Sequence, residues 1–385
     1  MRRTLTLAAA AAALLLAAGP LPVAEAGGAA RAAAGRWSAR EAQSFWTAER
    51  MASARPLPPV EPEPPASSPP PSPSPSPVAA RPPEPSVTPT PTGIPSAAAP
   101  VAIPTPTPTP TPPPIPAPAP APTPIPTPAP AAIVRPVPAR PAPADPGVGQ
   151  DFGGVPVVGR MFAVKGGGAY FCTASVVASP GRNLVLSAAH CLLGSDTQQV
   201  AFVPLYTRAN PQPYGIFPVL RDAGGHSKIW IDPRYRSQGP DRAATLDVAF
   251  AQVGPDSHGF PVQDVVGGNR LVTGAGYAHA RVTLIGYPAS AARPRLCVNR
   301  TTKFTSTDAR IPGSFLRIDC TGYPGGTSGG PFLTRYDTRT GTGDVVGVIG
   351  GWKTGGDTAD TSYSSYFGSD IRKLYEKAVA AAKAG

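Results

Sequence analysis

The sequence predicts an all-β domain, closed by a C-terminal helix and preceded by a disordered proline-rich linker. In residues 148–385, short runs rich in Val, Ile, Phe and Tyr alternate with Gly and Pro. Such runs with turn signals are typical of strands in a barrel or sandwich, and they argue against a parallel α/β sheet. The stretch 56–147 is dominated instead by Pro with Ala, Thr and Ser. This composition predicts a disordered or polyproline II spacer, because it cannot build a core.

The predicted strands are the apolar runs of the C-terminal region. They span residues 155–158, 161–164, 183–187, 247–253, 281–286, 315–319 and 344–350. Ser369 and Asp370 are suited to the start of a helix. Apolar residues then recur at helical spacing, at Ile371, Leu374, Tyr375, Ala378 and Val379. We therefore expect a helix at the end of this domain.

Residues 1–26 have the pattern of a secretory signal. Met1-Arg2-Arg3 precedes an Ala- and Leu-rich run, and Ala24-Glu25-Ala26 fits the small-residue cleavage pattern. An uncleaved N-terminal anchor is the alternative, but the run is marginal for a membrane span. We expect a secreted protein, extracellular or associated with the cell wall, with no stable membrane span after signal cleavage.

The next segment, residues 27–55, predicts a short amphipathic helix. Ser38 and Glu41 have the spacing of a capping box, and Phe45, Trp46 and Met51 follow. The spacer beyond it is a candidate for association with the cell wall.

The formal net charge of +11 predicts a basic surface. Residues 148–385 contain 24 Lys or Arg and 16 Asp or Glu, and the basic residues are scattered. A scattered basic surface favours anionic wall polymers or acidic substrates. No nucleic-acid motif accompanies it, so we expect no nucleic-acid partner.

Three signatures carry candidate catalytic residues in the order histidine, aspartate, serine. His190 lies in Ser-Ala-Ala-His-Cys, Asp247 in Leu-Asp-Val-Ala-Phe, and Ser328 in Gly-Thr-Ser-Gly-Gly-Pro. A serine hydroxyl needs a general base, and that base needs a third group that fixes its tautomer. The three signatures together predict a serine protease.

Other residues compete for two of these roles. His226, His258 and His279 are the remaining histidines, and none has a comparable signature. Asp241 is the alternative to Asp247. We prefer Asp247 because it lies between apolar residues, where an unpaired carboxylate is costly to bury.

The three signatures resemble those of chymotrypsin-like (trypsin-like) serine peptidases. The segment 159–190 and Ile285-Gly286-Tyr287-Pro288 are similar to the secreted bacterial glutamyl-endopeptidase-like branch. The resemblance is confined to the C-terminal domain and implies two antiparallel β-barrels with the site in the cleft between them. It implies that Ser328 is the nucleophile, that His190 is the general base and acid, and that Asp247 orients His190.

The resemblance also implies where the substrate binds. The N–H groups of Gly326 and Ser328 are the candidate oxyanion donors. Gly322, Gly351 and Trp352 fall at the specificity pocket. Gly322 stands where trypsin-like enzymes have aspartate, and the Gly350-Gly351-Trp352 stretch lacks the histidine of glutamyl endopeptidases. The side-chain preference therefore stays open.

Two further departures concern activation and support of the triad. Thr327 stands where many relatives have the aspartate that pairs with a released N-terminus, so that trigger is not expected. Gly351 replaces the serine that commonly supports the aspartate, which leaves Asp247 to other donors. Lys353 is a candidate positive charge near the pocket, although a lysine there is more commonly solvated.

The four cysteines lie in the C-terminal part, and their even number fits disulfides in an oxidising compartment. Three pairings are open on the residues alone, and a structural zinc site lacks the expected spacing. The resemblance implies the pairs Cys172–Cys191 and Cys297–Cys320. We expect no metal and no cofactor.

Two functions remain. The first is a secreted serine endopeptidase acting on protein or peptide substrates. In this reading residues 27–55 are a pro-segment that restrains activity, since the Trp46–Met51 stretch is similar to the pro-segments of secreted bacterial peptidases. The second is a non-enzymatic envelope or adhesion protein that uses a peptidase-like domain for binding.

Overall fold

The structure is a computed structural model that describes residues 37–57, 147–194 and 197–383. The predicted signal sequence, residues 27–36 and the linker between 58 and 146 lie outside the described residues. The described N-terminal stretch reaches Leu57, two residues past the boundary that composition predicts. All described residues belong to one compact unit.

β-Branched and aromatic runs form strands throughout this unit, because such side chains pack well on a pleated surface. The described residues contain sixteen strands: β1 (Arg55–Pro56), β2 (Gln150–Asp151), β3 (Val158–Lys165), β4 (Gly168–Val177), β5 (Leu184–Ser187), β6 (Gln198–Pro204), β7 (Phe217–Pro218), β8 (Ile229–Ile231), β9 (Ala249–Gln252), β10 (Arg270–Leu271), β11 (His279–Gly286), β12 (Arg295–Thr305), β13 (Ser314–Asp319), β14 (Pro331–Asp337), β15 (Thr342–Val348) and β16 (Thr361–Ser365).

Six α-helices and two short 3-10 turns connect and flank these strands in the described part of the chain. The helices are α1 (Ala39–Phe45), α2 (Ala48–Ser53), α3 (Ala189–Leu192), α4 (Pro233–Arg242), α5 (Val262–Val266) and α6 (Ser369–Lys383). The 3-10 turns are Ala244–Leu246 and Trp352–Gly355. No helix of the described residues is long and apolar enough to cross a membrane.

The strands form two sheets, and this confirms the predicted all-β architecture. The first sheet has the order β7-β6-β3-β4-β5-β9-β8, and β1 pairs with β4 beside this path. The second has the order β10-β15-β14-β11-β12-β13-β16, and β2 pairs with β12. Pairing is antiparallel except for the two-residue strands β1 and β10, which run parallel to β4 and β15.

The strand predictions need correction. β3 begins at Val158, so it contains the run 161–164 but only the last residue of the run 155–158. The strands β4, β6 and β14 lie outside the predicted runs. The eleven-residue strand β12 lies outside the predicted runs because its Arg, Asn, Lys and Thr side chains hide the apolar alternation. Its register with β11 and β13, and not its own composition, makes it a strand.

The predicted C-terminal helix is confirmed as α6. It begins at Ser369, and Arg372 N–H donates to Gly368 O, so Ser369 and Asp370 lie in its first turn rather than before it. Ile371, Leu374 and Ala378 are buried in the core of the first sheet. The Tyr375 hydroxyl donates to Ala178 O over 2.7 Å.

Candidate active site

His190 and Asp247 meet at one end of the first sheet. β5 leads directly into α3, which carries His190, and Asp247 follows the 3-10 turn before β9. β5 and β9 are antiparallel neighbours, which brings the two residues together. His190 Nδ1 lies 2.8 Å from Asp247 Oδ2, and His190 N–H donates to Asp247 Oδ1 over 2.9 Å.

The carboxyl of Asp247 is ionised although it is fully buried. Burial opposes ionisation, but the electrostatic interaction and the hydrogen bond with His190 outweigh it, together with the backbone N–H groups of Gly351 and His190. Together these donors lower the pKa of the Asp247 carboxyl. An ionised carboxylate at Nδ1 fixes the imidazole so that Nε2 is free to accept a proton.

The sequence does not reveal the other supports of Asp247. Gly351 lacks a side chain, and its backbone N–H donates to Asp247 Oδ2 over 2.8 Å. The fully buried Ser365 accepts from Asp247 N–H over 3.2 Å and donates to Ala244 O over 2.9 Å. Ser365 therefore joins β16 to the turn that carries Asp247. Nothing in the sequence distinguishes Ser365, because four of the five residues of β16 are Ser or Thr.

Tyr235 is a further buried neighbour of Asp247. Burial, and after it the negative charge of Asp247, raise the pKa of the Tyr235 hydroxyl well above its usual value. This hydroxyl makes no hydrogen bond among the described residues. The Tyr235 hydroxyl therefore stays protonated beside the Asp247 carboxylate.

The loop of Ser328 packs against the segment that carries His190. Thr173 N–H donates to Ser328 O over 2.8 Å, and the Thr173 side chain donates to Gly326 O over 2.9 Å. Gly329 has φ of 81°, and a Cβ there would overlap Ser187 Oγ and Thr173 O. The Cys172–Cys191 disulfide ties β4 to α3 beside this loop, with 6.2 Å between the Cα atoms.

Both predicted disulfides, Cys172–Cys191 and Cys297–Cys320, are present. The only cluster of candidate metal ligands within the described ranges is Cys172, His190 and Cys191. Because both sulfurs are bonded to each other, this cluster does not offer thiolate ligands.

Gly326 and Thr327 complete the loop. Gly326 has φ of 96°, and a Cβ there would lie 2.7 Å from the Phe171 ring and 2.8 Å from Tyr287 O. The Thr327 side chain is buried and donates to Pro324 O over 2.8 Å. The threonine hydroxyl thus closes the loop locally.

Two of the predicted pocket residues, Gly322 and Trp352, contact different groups of neighbours. Gly322 has φ of 81°, and its carbonyl accepts from Arg295 Nη1 over 2.9 Å. The Trp352 ring packs 4.6 Å from the Tyr363 ring and 5.1 Å from the Phe304 ring.

Lys353, the charged residue that the sequence places near this pocket, is paired with an aspartate. Its Nζ lies 2.6 Å from Asp357 Oδ2 and over the Trp352 ring. Asp319, which precedes Gly322 in the chain, pairs with Arg317 over 2.9 Å.

The competing residues lie elsewhere. His226 and His258 are exposed, and His279 begins β11 in the second sheet. Asp241 lies near the end of α4, and the aspartate that contacts His190 is Asp247.

Comparisons with known proteins agree with this geometry. Residues 172–348 match the family model of the trypsin-like peptidase domain. The solved structure of protease Anisep from Arthrobacter nicotinovorans aligns with a TM-score of 0.50 and 25% identity, over 60% of this chain and 99% of that chain. A search of curated proteins found no match.

Two other solved structures align with lower scores. Thermostable serine protease AL20 from an extremophilic microorganism has a TM-score of 0.48 and 23% identity, over 58% of this chain and 97% of that chain. A Glu endopeptidase in complex with MPD has a TM-score of 0.43 and 15% identity, over 61% and 98% of the two chains.

The C-terminal domain is therefore a trypsin-like peptidase domain of the chymotrypsin-like fold. These matches support a serine peptidase, that is, a hydrolase of peptide bonds.

Proposed function

We propose that the protein is a secreted serine endopeptidase that hydrolyses internal peptide bonds through an acyl-enzyme. The observation that carries this proposal is the buried His190–Asp247 pair beside the loop of Ser328, within a trypsin-like peptidase domain. A buried imidazole–carboxylate pair next to an accessible serine is the arrangement that activates a hydroxyl nucleophile. Ser328 is partly exposed, as a nucleophile must be.

In the proposed reaction, Ser328 Oγ attacks the substrate carbonyl carbon and His190 Nε2 takes the hydroxyl proton. The peptide C–N bond then breaks, and His190 gives this proton to the leaving amine. Water attacks the resulting ester and gives a proton to His190, which returns it to Ser328 Oγ as the acid product leaves. Asp247 stabilises the imidazolium in both halves without being protonated itself.

The N–H groups of Gly326 and Ser328 are the proposed oxyanion donors. Within the described ranges, neither N–H donates to a protein acceptor. The Phe171 ring and Tyr287 O pack against Gly326 and limit the movement of its peptide. Donors fixed in this way stabilise the developing negative charge without reorganising during the reaction.

Ser328 Oγ and His190 Nε2 are not hydrogen-bonded to each other in the described structure. Unliganded enzymes commonly show a long separation between nucleophile and base, which shortens in the substrate complex.

Gly322, Gly351 and Trp352 are proposed to line the pocket for the substrate residue before the scissile bond.

Secretion is part of the proposal and is supported by the signal pattern of residues 1–26 and by the two disulfides. N-terminal sequencing of protein from the culture medium tests it. We expect a chain that begins near Gly27 or further downstream. Retention of residues 1–26 in the cell fraction contradicts secretion and leaves the enzymatic proposal untouched.

A fluorophosphonate probe tests the enzymatic function. We expect it to label the wild-type protein and not Ser328→Ala, and to label His190→Ala far more slowly. Ser306→Ala is a matched control, because it removes a serine hydroxyl at a position remote in sequence from all three signatures. Absence of labelling in folded wild-type protein overturns the proposal and favours the non-enzymatic binding protein.

A further inference from the structure

The N-terminal stretch divides into two parts that contact the peptidase domain differently. We call residues 37–54 the anchor and Arg55–Leu57 the cleft strand. The anchor contains α1 and α2, and it begins with the predicted capping box, in which Ser38 and Glu41 bond each other's backbone and side chain. The cleft strand contains β1 and the residue that follows it.

The anchor is built into the core of the first sheet. Trp46 and Met51 are fully buried, and the Trp46 ring packs 5.2 Å from the Phe162 ring. The Trp46 indole N–H donates to Gln199 O over 2.7 Å, and the Trp37 indole N–H donates to Val200 O over 3.0 Å. Burial of the Trp46 ring, with the indole N–H groups of Trp46 and Trp37 both paired, makes the anchor a lasting part of the domain.

The cleft strand is held weakly by comparison. Arg55 is exposed, and Pro56 and Leu57 are only partly buried. β1 pairs with β4 over two residues, Arg55 with Tyr170 and Pro56 with Phe171. Leu57 N–H donates to Phe171 O over 3.3 Å. Two paired residues are too few to be stable alone, so the strand can leave while the anchor stays.

The cleft strand occupies an edge that would otherwise be open. β3 pairs with one side of β4 from Gly168 to Ser175, and β5 pairs with the other side only from Ser175 to Val177. At Tyr170 and Phe171 this second side therefore has backbone groups for another strand. An open edge of this kind binds extended peptides by strand addition.

This edge adjoins the proposed catalytic loop. The Phe171 ring touches Gly326, and Thr173, two residues further along β4, donates to Ser328 O. Pro56 lies against Gly325, with its Cβ and Cγ 3.3 Å and 3.5 Å from the place of a Cβ on that glycine. The proposed pocket at Gly351 and Trp352 belongs to a different wall, which contacts Asp247.

We propose that Arg55–Leu57 occupies the binding site for the part of a substrate that follows the scissile bond, and that it competes there with polypeptide substrates. This rests on the proposed peptidase function. When the substrate residue before the scissile bond enters the pocket at Gly351 and Trp352, the residues after that bond must run in the opposite direction from Ser328, along Phe171 and Gly325. The ligand of this edge is an extended peptide with a proline or apolar residue over Gly325. The cleft strand runs parallel to β4, and none of its own peptide bonds is cleaved.

Two substrates with the same acyl sequence, chosen by library profiling, test this proposal. One carries a small aryl amide as the leaving group, and the other carries three further residues after the scissile bond. The aryl amide does not reach the edge of β4, so its hydrolysis reports the catalytic machinery alone. The ratio of kcat/KM for the longer substrate to kcat/KM for the aryl amide reports competition by the cleft strand: weaker competition raises this ratio.

The informative variants change the cleft strand in the full-length protein. Leu57→Pro removes the N–H that bonds Phe171 O, and Leu57→Ala keeps it as the matched control. We expect Leu57→Pro to raise the ratio about three- to ten-fold, the effect of losing one hydrogen bond, and Leu57→Ala to leave it nearly unchanged. Deletion of residues 55–57, which keeps the anchor, should raise the ratio at least about ten-fold.

A ratio that is equal in the wild type, in Leu57→Pro and in the deletion variant overturns the proposal, provided that the aryl amide is hydrolysed. Absence of both aryl amide hydrolysis and fluorophosphonate labelling in every variant overturns the peptidase function itself, and this inference with it. The two failures are therefore distinguishable. Thermal unfolding of each variant verifies that the anchored domain remains folded.

Discussion

The backbone N–H of Gly351 donates a hydrogen bond to Asp247 Oδ2 over 2.8 Å. Gly351 has no side chain, so its peptide N–H is the donor, and its φ of 79° is a conformation that favours glycine. The carboxylate therefore has backbone donors on both sides, from Gly351 and His190.

Asp247→Asn tests the role of this carboxylate. An amide in its place favours the wrong imidazole tautomer, so we expect kcat to fall on the order of 10⁴-fold, as in a triad that loses its charge. Steady-state kinetics on a peptide substrate and the rate of fluorophosphonate labelling measure the effect. A fall in kcat of less than about ten-fold contradicts the assignment of Asp247 and favours the alternative aspartate, Asp241.

The lowered pKa of Asp247 predicts a pH-dependent stability. Its pKa is lower in the folded than in the unfolded protein, so its contribution is present above the ordinary value of about 3.9 and is lost as the pH falls through the folded value. We expect the free-energy difference of unfolding between wild type and Asp247→Asn to shrink from pH 7 towards pH 3. Urea titrations at both pH values measure it. A difference independent of pH contradicts the lowered pKa.

Ser365→Ala should slow catalysis without weakening substrate binding. Removing its hydroxyl takes one hydrogen bond from Asp247 N–H and one from Ala244 O, which are then joined only to each other over 3.3 Å, and the turn that presents the carboxylate loosens. We expect kcat to fall with KM nearly unchanged, and a loss of about 1–3 kcal/mol in stability.

Ser364→Ala is the matched control, because Ser364 is equally buried but bonds Val348 N–H and Ser365 O instead of Asp247. Its stability should fall similarly while kcat stays near that of the wild type. Equal loss of kcat in both variants would show that Ser365 acts only through general stability.

Gly326→Ala should disable the proposed oxyanion site. The added Cβ would meet the Phe171 ring and Tyr287 O, so the loop must shift. We expect kcat to fall about 10²- to 10³-fold, the usual effect of losing one oxyanion donor.

Gly225→Ala is the control for backbone strain. It has a similar φ of 80°, and a Cβ there meets no atom within 4 Å. Comparison of the two variants separates the free-energy cost of placing alanine at a positive φ from the free-energy cost of moving the loop of Gly326. Unchanged kcat in Gly326→Ala contradicts the proposed donor pair.

Replacing Cys172 and Cys191 by serine should destabilise the domain and reduce activity together. A loop of this length contributes about 3 kcal/mol in the chain-entropy model. The bond also holds α3, so loss of kcat should precede global unfolding on heating. The double replacement of Cys297 and Cys320 is the control, since its loop is similar in length but lies in the second sheet. Activity that survives to the unfolding temperature in both variants contradicts a role of the first bond in holding His190.

Sequence patterning recovers short apolar strands such as β5 and β13. It misses β4 and β6, although most of their residues are buried. β12 was missed because Arg, Lys and Thr dominate its exposed side, and its identity depends on two neighbouring strands. The anchor was recognised only as a short helix. Its burial depends on the complementary surface of the first sheet around Phe162, which no local pattern contains.

The sequence by itself determined the candidate triad, the even set of cysteines, the all-β class and the terminal helix, because each depends on residue types at short spacing. Only the tertiary structure decided which donors hold Asp247, which cysteines pair and where the cleft strand lies. Those contacts join residues far apart in the chain, such as Asp247 with Ser365 and Leu57 with Phe171. Their geometry is set by sheet pairing, which determines what a backbone group meets, whatever its own side chain is.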